Sequence, residues 1–273
     1  MSISKAQASA LTGVYSLARK SGLLSTYLGR ALFTYSYGVY KRYLEDPFYP
    51  LVCRRPALFR HGHVLDIGAN IGYTSSVFAR AIDPEFRVYA FEPEPFNFSL
   101  LQRSAASRRL RGRVVPVRCA VGAENGTVTL LRNDDHHGDH RVLTTALGET
   151  SRSQTNVIQV PLVSIDSFVQ QTIDGQSVSF IKIDVQGYEL PVCSGLTRTM
   201  AQNPNAVIAL EYAPNTLEEL GFAPDDLLAW IRKTGYAIYS LDKSGRLTKG
   251  LPSKDTKTEY ADLLLSGNPL SID

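Results

Sequence analysis

The spacing of apolar positions changes at about residue 60. Before it, Ile3, Leu11, Val14, Leu17, Leu24, Leu28, Leu32 and Phe33 recur at roughly helical intervals, broken at Gly13, Gly22 and Gly29. That pattern predicts a helical N-terminal extension, and Asp46-Pro47 and Tyr49-Pro50 predict a turn after it. From His63 onward, short apolar runs alternate with amphipathic segments. His63–Ile67, Arg87–Phe91 and Arg113–Val117 read as strands, with helices over Ile71–Ile82 and Phe96–Ser107 between them. Thr127–Leu131 and Val157–Val163 read as strands around a polar loop, Asn133 to Gly138. Phe180–Asp184, Ala206–Glu211, Tyr236–Leu241 and Tyr260–Leu265 follow, with helices over Glu189–Leu196 and Pro224–Lys233. Alternating strands and helices predict an α/β fold with a mostly parallel sheet covered on both faces. The last two strands leave no room for a full crossover helix, so they read as an antiparallel hairpin. The predicted organisation is an extension over residues 1–60 and an α/β body over 61–273.

Composition narrows the class. With 44% hydrophobic and 20% charged residues the chain is not of the disordered kind. Cys53, Cys119 and Cys193 form no C-x-x-C pair, which argues against a paired-cysteine zinc site and against a disulfide framework. That usage fits a reducing compartment, and a cytoplasmic location is expected. No apolar run approaches the roughly 18 residues of a membrane span. The net charge of +3 is unevenly placed. Residues 1–44 carry Lys5, Arg19, Lys20, Arg30, Lys41 and Arg42 and no acid, whereas the rest holds 23 basic and 26 acidic residues. The arm also holds many of the tyrosines. It could pack on the body or on a second subunit as a homodimer, line an acceptor pocket, or touch an anionic membrane or substrate carrier. Its acid-free, Ser-rich character also has a faint likeness to a transit peptide. The arginine run from Arg103 to Arg118 lacks interleaved aromatics, and nucleic-acid binding is not expected.

In a doubly wound sheet the ligand site lies at the carboxyl ends of the strands, near the switch in strand order. The first strand–turn–helix unit reads Val64-Leu65-Asp66-Ile67-Gly68-Ala69-Asn70-Ile71-Gly72-Tyr73. Asn70 breaks the dinucleotide fingerprint, and no G-K-[ST] makes a P-loop. An acid two residues before the first glycine would repel a pyrophosphate but suits a cofactor carrying an ammonium and a sulfonium. Glu92, at the end of the second strand, can accept both hydrogen bonds of a ribose diol.

Together with Phe91-Glu92-Pro93 and Ile181-Lys182-Ile183-Asp184-Val185-Gln186-Gly187-Tyr188-Glu189, this segment resembles the FkbM-type family of S-adenosylmethionine-dependent methyltransferases. The resemblance spans about residues 60–265. It implies a Rossmann-like class I methyltransferase fold: a seven-stranded sheet whose final strand is inserted antiparallel. It implies S-adenosyl-L-methionine as cofactor, held by Asp66, Gly68, Asn70, Gly72, Tyr73 and Glu92, with the adenine near Cys119, Ala120 and Val121. The family usually has Glu where this chain has Gln186, which puts in doubt any role needing a carboxylate there.

The resemblance suggests methyl transfer to a hydroxyl of a small molecule such as a sugar or a polyketide-type metabolite. The open alternatives are a nitrogen, a glycan or glycolipid acceptor, or a cofactor-binding partner without catalysis. An alcohol acceptor needs a proton acceptor. Asp184 and Glu211, at adjacent strand ends, are candidates, and two such acids are too few to predict a metal site. The loop Asp134-Asp135-His136-His137-Gly138-Asp139-His140-Arg141 reads as a polar surface loop, a metal cluster, or a cover over the substrate with His140 as the base.

Overall fold

The computed structural model describes residues 26–42, 46–133, 139–150, 156–173, 175–252 and 260–272. The predicted helical arm before residue 26, and the polar loop at 134–138, lie outside the described residues. Helix α1 (Tyr27–Tyr40) is started by Thr26, whose hydroxyl accepts from Gly29 N at 3.0 Å. Helix α2 (Phe48–Arg54) follows and runs through Tyr49-Pro50, correcting the turn expected there. Pro50 fits because the first turn of a helix has no internal acceptor to lose.

The body is built on β1 (His63–Ile67), β2 (Val88–Phe91), β3 (Val114–Val117), β8 (Val178–Ile183), β9 (Val207–Tyr212), β10 (Ala237–Leu241), β11 (Leu247–Lys249) and β12 (Ala261–Ser266). Their order is β11-β10-β12-β9-β8-β1-β2-β3. The five strands from β3 to β9 are parallel, and β12 is inserted antiparallel between β9 and β10. The seven-stranded expectation holds, with the short β11 added antiparallel at the edge.

Successive residues point to opposite faces, and both faces are buried. Leu65, Ile67, Tyr89, Phe91, Ile181, Ile183, Ile208, Leu210, Leu263 and Leu265 fill one core. Val64, Val88, Ala90, Phe180, Val207, Ala209 and Leu264 fill the other with Phe48, Phe59 and Phe78. Burial on both faces explains why these strands read as near-continuous apolar runs.

Helix α3 (Tyr73–Phe78) is shorter than the predicted Ile71–Ile82, because Gly72 in the left-handed region starts it late and 3₁₀-type turns end it. Helix α4 (Pro95–Ala105) is capped by Glu94, which accepts from Asn97 N at 2.7 Å. Between β3 and β8 the chain builds a second sheet, ordered β4-β7-β5-β6, from β4 (Ala120–Val121), β5 (Gly126–Leu131), β6 (Arg141–Val142) and β7 (Val157–Val163). The later helices include α7 (Glu189–Ser194), α9 (Pro214–Glu219) and α10 (Pro224–Thr234), with α5 (Thr145–Thr150), α6 (Ile165–Phe168) and α8 (Thr197–Gln202) completing the set in chain order.

Candidate active site

The strand order reverses between β1 and β8, and the candidate residues gather at the carboxyl ends of these two strands. The turn after β1 is fastened on both sides. Gly68 N and Ala69 N donate to Phe91 O, at 3.1 and 2.9 Å, and Asp184 N donates to Ile67 O at 3.1 Å. Gly68 has φ +79°, and a Cβ there would lie 1.8 Å from Asp184 O. Only glycine lets the first turn approach the end of β8 so closely. Asn70 also has positive φ, and its N–H donates to Glu92 at 3.0 Å. The other Glu92 oxygen accepts from Glu94 N at 2.9 Å. Burial raises the Glu92 carboxyl to about 8, against the pull of these N–H groups.

A row of charged residues crosses the sheet on one face. Asp66 and Lys182 are register partners on β1 and β8, flanked by Ala90 and Ala209 on the neighbouring strands. The small alanines leave room for the pair. Asp66 is fully buried, accepts from the Ser75 hydroxyl at 2.5 Å, and faces Lys182 Nζ at 3.7 Å. The same ammonium donates to Asp184 at 3.1 Å. Burial opposes the Lys182 charge, but Asp184 and Asp66 outweigh it and hold the ammonium above its ordinary value. Glu211, two residues beyond Ala209 on β9 and so on the same face, is partnered by Asp262 on β12. Burial, then Asp184, raises Asp262 to about 7.

Asp184 is the member of the buried ion-pair group that reaches the surface: a third of its side chain is exposed, against 5% for Lys182. Partial burial pushes its pKa up, but Lys182, with help from Lys41, holds it below the usual carboxylate range. Glu211 goes the other way, raised well above that range by burial and by Asp184. Gln186 sits between them. Its amide donates to Asp184 at 3.0 Å and to Glu211 at 3.3 Å, from a residue with φ +56°. Glu189, wholly buried at the start of α7, shapes this turn by accepting from Val185 N and Gly187 N. Burial raises it to about 7.

The segment after α1 closes one side of this edge. Asp46 is buried and caps α2 through Tyr49 N at 3.0 Å. Burial raises it to about 6. Burial, then Asp46, also raises the Tyr73 phenol. On the other side, the β5–β6 hairpin is tied down at two points. Arg132 pairs with Glu94 at 3.2 Å, and Arg141 bonds Asp139 and Glu219 of α9. His140 lies between them, its Nδ1 accepting from Asn133 N at 3.1 Å. Arg132, Asn133, Asp139, Arg141, Asn156, Leu131 and Leu147 line a cavity of about 450 Å³.

The structure therefore brings Gly68, Asn70, Gly72 and Tyr73 into one turn, bonded through Asn70 N to Glu92 at the end of β2, and Asp184 beside Glu211. Asp66 is directed inward, to Ser75 and Lys182. Ala120 packs with Leu130 and Val160 in the small core of the second sheet. Sequence reading assigned no role to Lys182, Asp46 or Asp262. A lone lysine inside Phe180-Ile181-Lys182-Ile183 was the available signal for the first. Among the described residues, no group of three or more His, Cys, Asp or Glu is arranged to hold a metal ion, and no helix is long and apolar enough to cross a membrane.

Residues 66–238 match the methyltransferase FkbM domain family. The hexuronic acid methyltransferase AglP of Haloferax volcanii is 29% identical over 144 residues, 52% of this chain and 53% of that protein. Methyltransferase 1 of Beauveria bassiana is 26% identical over 145 residues, 49% of this chain and 57% of that protein. The chain thus spans about half the length of these curated relatives. The crystal structure of a methyltransferase FkbM from Methylobacillus flagellatus superposes with a TM-score of 0.50 at 19% identity, over 84% of this chain and 50% of that one. That likeness concerns the fold alone.

Proposed function

The chain belongs to the FkbM methyltransferase family, and on that footing we propose that it is an S-adenosyl-L-methionine-dependent O-methyltransferase acting on a hydroxyl of a small polar acceptor of the sugar type. The observation that carries this reading is the pairing of a glycine turn fastened to buried Glu92 with a part-exposed, ionised Asp184 directly across the strand switch.

The donor set suits the cofactor. Glu92 already accepts two N–H groups, and a carboxylate has about four lone-pair sites. Hydroxyls of a ribose diol would fill the remaining two and favour its charged form. Gly68, Asn70, Gly72 and Tyr73 would shape the adjoining wall and Ala120 the adenine side, while Asp66 acts through Ser75 and Lys182. When bound, the cofactor supplies an activated methyl group as the electrophile. Removing the Glu92 carboxylate by Glu92→Ala is expected to weaken cofactor binding by about tenfold or more, from lost charge-assisted hydrogen bonds. Calorimetric titration with S-adenosylhomocysteine checks this, and unchanged affinity would place the cofactor elsewhere.

Asp184 accepts the O–H of the acceptor and orients its oxygen. A carboxylate held at low pKa suffices, because the hydroxyl becomes strongly acidic once its oxygen carries the methyl group. Asp184 then takes the proton. Glu211, held well above the usual carboxylate range by burial and by Asp184, resists taking a second negative charge beside it. His140, whose Nδ1 accepts from Asn133 N, is the hairpin residue proposed to contact the acceptor. The cavity under the hairpin, lined by guanidinium, amide and carboxylate groups, suits a polyhydroxylated acceptor.

Gln186 supports a catalytic reading over a non-catalytic one, since its amide serves both carboxylates. Gln186→Glu would set a third acid against them, making Asp184 harder to ionise. The rising limb of the pH–rate profile should move to higher pH, by about one unit. A profile that stays in place would remove Gln186 from the tuning of Asp184. The reading as a whole is tested with labelled S-adenosylmethionine and candidate sugars. Methyl label on a sugar hydroxyl supports it, and label on nitrogen, protein or RNA overturns it.

A further inference from the structure

Helix α1 carries one face that no described residue of the fold covers. Leu28, Leu32, Tyr35 and Val39 are 77%, 60%, 73% and 41% exposed, and they recur at the i, i+4, i+7, i+11 spacing of a single helical stripe. Ser36, the polar side chain beside them, turns back to bond Phe33 O at 3.0 Å. The opposite side holds Phe33 and Tyr37, whose rings stack at 6.1 Å between centroids. Arg30 is the one charged residue in the 14-residue helix, and Lys41 and Arg42 follow its end. Lone exposed leucines need no explanation, but an aligned stripe of four marks a contact surface.

We infer that this stripe docks the enzyme on an anionic lipid surface, lying in the interface rather than crossing it. Two observations favour lipid over a second copy of the chain. The stripe belongs to an acid-free segment whose six basic residues lie within 44 positions, so a symmetric pairing of arms would bring like charges together. Anionic headgroups would complement that charge, and each basic residue near them adds attraction. The mixture of leucine and tyrosine on the outer face also suits the boundary between acyl chains and headgroups.

The docking face is joined to the chemistry. Lys41, just past the end of α1, acts electrostatically on Asp46, Asp184 and Asp262. A side chain at Gly38 would meet the Tyr73 ring at 3.8 Å. Seating α1 on a membrane would hold the Asp184 edge close to the headgroups, where an acceptor attached to a lipid would present its hydroxyls. That last step rests on the function proposed above. The docking itself does not, and its test needs no methyl transfer.

The test is co-sedimentation of the full chain with vesicles of phosphatidylcholine alone and with about one-third phosphatidylglycerol. The parent protein should sediment with the anionic vesicles at low salt and less so at high salt. Leu28→Ser/Leu32→Ser/Tyr35→Ser, which keeps every charge, should lose about tenfold or more in vesicle affinity. Its melting temperature and cofactor binding should match the parent, since these side chains are mostly exposed. A parent that stays in solution with anionic vesicles overturns the inference. So does a triple variant that binds them as well as the parent, which would leave charge attraction alone. So does gel filtration showing a parent dimer that the triple variant breaks, which would make a second copy the occupant.

Discussion

Replacing Lys182 with methionine is expected to lower the melting temperature by about 10 °C near neutral pH and to abolish methyl transfer. The substitution keeps the length of the stem but leaves Asp66 and Asp184 without the ammonium that lies 3.7 and 3.1 Å from them. Breaking a buried pair costs about 3–5 kcal/mol, because the remaining charge stays out of water. The pH dependence gives the effect its signature. In the parent, Asp184 is held low, so its contribution is present above the ordinary carboxylate pKa and is lost only as pH falls through its lower folded value. Lys182 is held high, so its contribution persists until pH rises through the raised ammonium value. Both are in force from pH 5 to pH 9. In the variant Asp184 loses the ammonium that holds it low, so it titrates at higher pH, and protonation relieves it. The difference in Tm between parent and variant should therefore be smaller at pH 5 than at pH 8. Thermal melts across that range check it, and an equal difference throughout would show that packing, not charge, carries the effect.

Asp184→Asn should cost turnover about 10²- to 10⁴-fold while leaving cofactor affinity unchanged. Asparagine keeps the shape of the strand end and the backbone bond from residue 184 to Ile67 O. It removes the group proposed to receive the acceptor's proton. Lys182 keeps Asp66 as a partner, so the fold should hold. Single-turnover rates with bound cofactor separate chemistry from binding. His140→Ala is the comparison to make beside it. A greater loss at His140 than at Asp184 would move the base to the hairpin.

The strands of the large sheet were legible because runs such as His63–Ile67 and Val207–Tyr212 are buried on both faces, and burial is what makes them apolar. The second sheet was only half visible. Its β4 and β6 are two residues each, too short to show any period. In the candidate site, the glycine turn and the acids at strand ends followed from local sequence. The ion pair of Asp66 with Lys182 did not, since it depends on register between strands 116 residues apart. Asp46 was hidden for a different reason. It stands beside a proline in what reads as a turn, and only packing of the arm against the body buries it. The positive φ of Gln186 is likewise a tertiary fact, imposed by a turn whose N–H groups converge on Glu189.

The second sheet also lengthens the loop that the central pairing of the large sheet has to close. After Val117 the polypeptide makes four strands elsewhere before Val178 returns to pair with His63. The central pairing of the large sheet thus closes a long loop, and loops of that kind close late. Until then one side of β1 presents a row of unsatisfied amides between apolar side chains, an edge open to other chains. The insertion between β3 and β8 therefore leaves β1 without its second neighbour until β8 is in place.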